Sequence, residues 1–164
     1  MLLCIVFAFT YRASGIDALY SLAITFGTIA YHFLMRLAVG FSVDGIMKNK
    51  ADYNSKWFRC SALEEKIYRK LKVKQWKNRL PTFRPEYFEL SEHSWDEIAQ
   101  ATCQSEIVHE IIVLLSFVPI SFSVWFGALP VFIITSIFAA LFDLLYVIIQ
   151  RYNRPRIIRL IKNK

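Results

Sequence analysis

Apolar residues in this chain are gathered into blocks rather than spread along it. Residues 18–41 (ALYSLAITFGTIAYHFLMRLAVGF) carry no charge before Arg36, and His32 is the one strongly polar interruption ahead of it. Residues 107–126 and 128–149 form two further blocks of similar length. A hydrocarbon core about 30 Å thick takes roughly 20 helical residues, and a helix satisfies its backbone polar groups internally, so each block predicts a crossing. The predicted fold is an all-α membrane protein with spans of about 16–41, 107–126 and 128–149, the chain turning at Gly127 and Pro130 between the last two. The first nine residues, MLLCIVFAF, are apolar but too short to cross. Lacking a basic leader and a small-residue cleavage site, they predict a lipid-facing or interfacial lead-in rather than a removable signal peptide.

Residues 42–105 are too charged to enter lipid, and their clearest element is 61–80, SALEEKIYRKLKVKQWKNRL. Ser61 and Glu64 have the Ser-x-x-Glu spacing of a capping box, and Pro81 stops the run. Leu63, Ile67 and Leu71 recur every fourth residue, with Trp76 and Leu80 drifting onto a neighbouring stripe and seven Lys or Arg filling much of the rest. This predicts a basic amphipathic helix lying in the cytoplasmic interface, held by apolar area and anionic lipid; a solvated helix over the inner ends of the spans is the plainer alternative. Residues 84–97 then turn acidic, with Tyr87, Phe88 and Trp95 as anchors.

Composition agrees with the pattern: of 164 residues, 55% are apolar and 16% aromatic, which excludes a soluble single-core domain and predicts one integral membrane domain over 1–164. Charge sets the orientation. Of 20 Lys and Arg, 13 fall between Arg36 and Glu106, six lie in the tail 150–164, and only Arg12 precedes the first span. The positive-inside rule therefore predicts a multi-pass cell-membrane protein with segment 42–105 and the tail cytoplasmic and the N-terminus outside. Cys4, Cys60 and Cys103 have no close spacing, which excludes a zinc knuckle or redox pair. No phosphate-cradling glycine loop occurs, and no nucleic-acid partner is called for, because membrane contact accounts for the basic charge.

Polar residues gather at the inner ends of the predicted spans. His32 and Arg36 stand one helical turn apart; Glu106 and His109 share a face at i, i+3, with Glu110 following. The third block ends in Gln150, Arg151, Tyr152, Asn153, Arg154, Pro155 and Arg156, with Asp143 two turns deeper. An intramembrane carboxylate costs roughly 2.5–3.5 kcal/mol on insertion scales and needs a partner, for which Arg36 or a tail arginine is suited. No metal site is expected, since a Glu-x-x-His di-iron bundle needs a second such pair and two more carboxylates.

Four segments carry a family resemblance: QRYNRPR at 150–156, LKVKQWKNRLP at 71–81, SEIVH at 105–109 and HFLMR at 32–36. Together, and in this order, they resemble the glycosyl-diaponeurosporenoate acyltransferase family. The chain departs from that family's pattern at Asp143 and Leu145, where the family carries Asn and Pro. The resemblance implies transfer of a fatty acyl group onto a sugar hydroxyl of a glycolipid or carotenoid glycoside, with an activated acyl donor such as acyl-CoA as co-substrate and no other cofactor. Such transfer needs a base for the hydroxyl proton and donors for the developing oxyanion. His109 is the first candidate base, with Glu106 orienting it, and His32 the second. Arg151, Arg154 and Arg156 suit a phosphate-bearing donor, since the planar guanidinium matches phosphate oxygens. Gln150 and Asn153 are expected at the sugar, and Arg36, Trp76, Lys77, Arg79 and Asp143 complete the expected substrate surface. The expected partners are membrane lipids, the lipid-like acceptor, and a second copy or another membrane protein. The rival reading is a non-enzymatic small membrane subunit that binds a transporter or lipid-processing enzyme.

Overall fold

The computed structural model describes residues 1–81 and 85–163; the start of the acidic stretch, at Arg84, and the last tail residue, Lys164, lie outside the described residues. The chain is all-α, with no strand among the described residues. Three helices are long and apolar enough to cross a membrane: α2, Asp17–Met47; the run Trp95–Phe126, which begins with α5, Trp95–Leu115; and α7, Leu129–Lys162. At 31 and 34 residues, α2 and α7 exceed the roughly 20 that a hydrocarbon core needs, so each carries a polar extension past its apolar block.

Two compact units make up the chain: residues 1–40 with 111–143, and residues 41–110 with 144–164. In the first, α1, Leu2–Ser14, ends at Gly15, whose φ of 70° provides the left-handed cap needed to reverse direction. The apolar lead-in is thus a helix running back along α2, with Phe7 stacked on Phe26 at 5.5 Å and Tyr11 against Tyr20 at 5.0 Å. Gly27 permits that approach, since a Cβ there would stand 3.2 Å from Cys4 Sγ. After Leu115 the chain tightens into a 3-10 turn over Val118–Phe122, where Pro119 is buried, and a single helical turn, α6, Ser123–Phe126. The span expected over 107–126 is therefore regular helix only as far as Leu115. Gly127 (φ 63°) and Ala128 (φ 52°) make the turn, and Pro130 sits in the first turn of α7, where its missing N–H removes no bond. Tyr20 and Tyr31 donate to the carbonyls of Phe126 and Leu115, each at 3.0 Å.

The second unit holds the polar extensions. The expected capping box forms, with Ser61 and Glu64 each bonding the other's backbone N–H, and opens α3, Ala62–Lys70. The helix expected over 61–80 does not continue: Lys72 adopts φ 51°, and one further turn, α4, Val73–Trp76, follows before a 3-10 turn at Lys77–Arg79. Trp76 Nε1 donates to the Leu71 carbonyl left over by the break, and Val73 becomes fully buried. On α3 Leu63 and Ile67 remain exposed, as does Leu71 at its C-cap, while Tyr68 faces inward. A second capping box, Ser94 with Glu97, opens α5 well before its apolar run. The helix α7 continues through the basic tail and past Pro155, to a length of about 51 Å at 1.5 Å per residue.

Candidate functional site

In the second unit, the interior between α3, α5 and α7 is charged. Arg154 is fully buried and each of its guanidinium nitrogens donates: Nε to Thr102 Oγ1 at 3.0 Å, Nη1 to the Phe58 carbonyl at 3.1 Å, and Nη2 to the Thr102 carbonyl at 3.0 Å. Its Nη2 also lies 2.5 Å from Glu106 Oε2, and its guanidinium covers the Phe58 ring at 4.9 Å. Arg151, one turn earlier, bonds Glu64 Oε1 through Nε and Glu106 Oε1 through Nη1, both at 2.6 Å, and donates to the carbonyls of Trp57 and Arg59. The fully buried Glu106 carboxylate is thus held by two arginines, one per oxygen. Removing a carboxylate from water costs several kcal/mol, and only such close, multiply bonded cations offset it.

This network gives Arg151 and Arg154 interior partners, and each Glu106 oxygen lies against an arginine. Gln150 is likewise interior, its Nε2 donating to Ser105 Oγ at 3.1 Å. Half-buried His109 lies with its ring stacked parallel to Tyr146, centroids 4.6 Å apart, one turn beyond Glu106 on α5. Trp57 Nε1 donates to Glu110 at 3.1 Å.

The segment around Trp76 meets the 150–156 segment directly. Lys77 Nζ donates to Asn153 Oδ1 at 2.6 Å and lies over the Tyr152 ring at 5.6 Å. Exposed Arg156 covers the same ring at 4.2 Å and donates to the Tyr152 hydroxyl. Arg79 is exposed and Trp76 half-buried. Burial, and then the charge of Arg156, push the Lys77 ammonium below its ordinary value. Burial would raise the Glu64 carboxyl, but the bonds from Arg151 and Ser61 outweigh it and hold the group at about 2. Burial and the Glu64 charge push the Tyr68 phenol up to about 12.

The remaining candidates belong to the first unit. Asp143 is buried and paired with Arg36, whose Nε and Nη2 lie 3.0 and 2.5 Å from Asp143 Oδ2. Arg36 Nη2 also reaches the Ala139 carbonyl at 3.4 Å, so α2 and α7 are tied within that unit. His32 is buried, and neither ring nitrogen has a hydrogen-bond partner among the described residues. The polar residues therefore fall into two groups, one in each unit. No cluster of His, Cys, Asp and Glu arranged for a metal occurs among the described residues.

Sequence reasoning did not reach Thr102, Phe58 or Tyr146. Glu64 was visible as a capping residue, but its second role, pairing with Arg151 across 87 positions, has no local signal. Over residues 54–163, more than half of its length, the chain matches the glycosyl-4,4'-diaponeurosporenoate acyltransferase family. That span includes the segments 71–81, 105–109 and 150–156 and excludes 32–36. No curated protein and no solved structure matches the chain.

Proposed function

Because the chain belongs to the glycosyl-4,4'-diaponeurosporenoate acyltransferase family, we propose that it is a membrane acyltransferase esterifying a sugar hydroxyl of a carotenoid glycoside. The observation that carries this reading is the convergence of the three matched segments, through Glu106, Lys77 and residues 151–156, in one unit. Arg151 and Arg154 act as the frame, fixing α3, α5 and the segment at 57–59 against α7. Arg156, exposed beside Tyr152, takes the role of donor contact. His109 serves as the general base, oriented by stacking on Tyr146. As the sugar oxygen attacks the thioester carbonyl, His109 accepts its proton; the new C–O bond forms, the C–S bond breaks, and the proton passes to the departing thiolate. The positive-inside rule favours the cytoplasmic side for this unit, where activated acyl donors are made.

The test is a set of lipid extracts from cells making the glycosylated acceptor, analysed by mass spectrometry. His109→Ala is expected to lose the acylated product while the protein stays in the membrane fraction. Full product from both His109→Ala and His32→Ala would overturn the assignment of a histidine base.

A further inference from the structure

Along α7 the basic residues differ sharply in circumstance. Arg151 and Arg154 are neutralised by Glu64 and Glu106, whereas the next two arginines, Arg156 and Arg159, have no carboxylate within ion-pair distance among the described residues. The same holds for Arg69 on α3. These three line one cleft of about 210 Å³, together with Cys60, Tyr68 and Tyr152. A single carboxylate, Glu65, shares the lining. Three guanidinium groups lining one small concavity with one acid among them leave an uncompensated positive field.

The arrangement is prepared for an anion rather than merely exposed. Arg156 is held by two contacts to Tyr152, the ring face beneath its guanidinium and the hydroxyl that accepts from Nη2, which fixes the plane of the fork. Tyr152 is itself braced edge-on by Tyr68, centroids 6.3 Å apart. A planar, oriented guanidinium matches phosphate oxygens in pairs, and arginines from two separate helices can clamp a phosphate from opposite sides. Neither Arg69 nor Arg159 stood out in the sequence, where each belongs to an ordinary basic face.

We propose that the cleft formed by Arg69, Arg156 and Arg159 is the phosphate subsite for the acyl donor, which makes the donor a phosphate-bearing thioester of the coenzyme A class. This rests on the acyltransferase reading. Anionic lipid headgroups offer the same chemistry, so the test separates the two sources.

Purified full-length protein in phosphatidylcholine nanodiscs is titrated with coenzyme A and with pantetheine, which shares the thiol arm but has no phosphate. Coenzyme A is expected to bind at least about tenfold more tightly than pantetheine, and Arg69→Ala/Arg159→Ala to remove that advantage, since each charge-assisted bond contributes on this scale. The same variant should raise KM for an acyl-coenzyme A while leaving transfer from an acyl-pantetheine unchanged. Unaltered burial of Cys103 towards maleimide confirms that the variant is folded. Equal binding of the two thiols, or coenzyme A binding by the variant as tight as by the parent, overturns the proposal. So does a variant that loses only its preference for phosphatidylglycerol nanodiscs, which would assign the cleft to lipid headgroups. If the parent binds coenzyme A with the expected arginine dependence but transfers from neither thioester, the phosphate subsite stands and the acyltransferase reading fails.

Discussion

Replacing Arg154 by alanine removes two hydrogen bonds to Thr102 and one to the Phe58 carbonyl, and leaves Glu106 Oε2 buried without its cation. Deleting one partner of a buried ion pair costs about 3–5 kcal/mol, because the remaining charge stays desolvated. Arg151 keeps its bond to the other Glu106 oxygen, so the lower end applies, about 3 kcal/mol or roughly 150-fold in the opening equilibrium of this unit. Cys103, fully buried beside Thr102 on α5, reports that opening. With Cys4 and Cys60 changed to serine, maleimide labelling of Cys103 in detergent micelles measures how often the interior is exposed. Labelling of Arg154→Ala should be faster by on the order of a hundredfold, and Glu106→Gln in the same chain should return part of the loss by removing the stranded charge. An unchanged labelling rate would mean that Arg154 does not hold this interior closed. Equal cost for Arg154→Ala with and without the Glu106→Gln change would show that the two groups are not coupled.

Four other outcomes follow from the same structure. Glu64, held at about 2 against an ordinary 4.5, contributes stability that is complete above about pH 4.5 and is lost as pH falls towards 2; Glu64→Gln should flatten that acid limb in thermal unfolding followed by circular dichroism. Tyr68, raised to about 12, should ionise well above an ordinary tyrosine, and Tyr68→Phe should remove a step near pH 12 from an ultraviolet titration of the phenolate absorbance. Asp143→Leu strands the Arg36 guanidinium, whereas Arg36→Met with Asp143→Leu replaces the pair by apolar groups; thermal unfolding in detergent should show the single variant several degrees below the double. A nitroxide at position 67, on the exposed apolar stripe of α3, should be more accessible to oxygen than to a water-soluble nickel chelate if that helix lies in the membrane interface; the opposite ratio would make it a solvated helix.

What could be read in the sequence was what depends on neighbours along the chain. The three apolar blocks, the Gly127 turn and the Ser61–Glu64 box are all local patterns, and each has its counterpart in the structure. The break at Lys72 is not local: a left-handed residue is tolerated there because Val73 gains full burial and Trp76 caps the freed carbonyl. Pro155 reads as a stop signal, yet it removes only the one bond that the Arg151 carbonyl would accept, within a helix fastened on either side of that carbonyl by Arg151 and Arg154. The resemblance pointed to Arg151, Arg154 and Arg156 together at the donor. Their division into two interior arginines and one exposed arginine depends on carboxylates at Glu64 and Glu106, far away in sequence. Composition shows that such charges exist, not which of them meet.

Whether this chain moves an acyl group is decided by reconstitution. The purified protein, in nanodiscs with a glycosylated diapocarotenoid acid and an acyl-coenzyme A, is incubated and extracted for mass spectrometry. A new ester is expected, its mass equal to acceptor plus fatty acid minus water, formed by the parent and lost in His109→Ala. If the parent forms no ester in a preparation whose Cys103 remains protected, the chain is not the acyltransferase proposed.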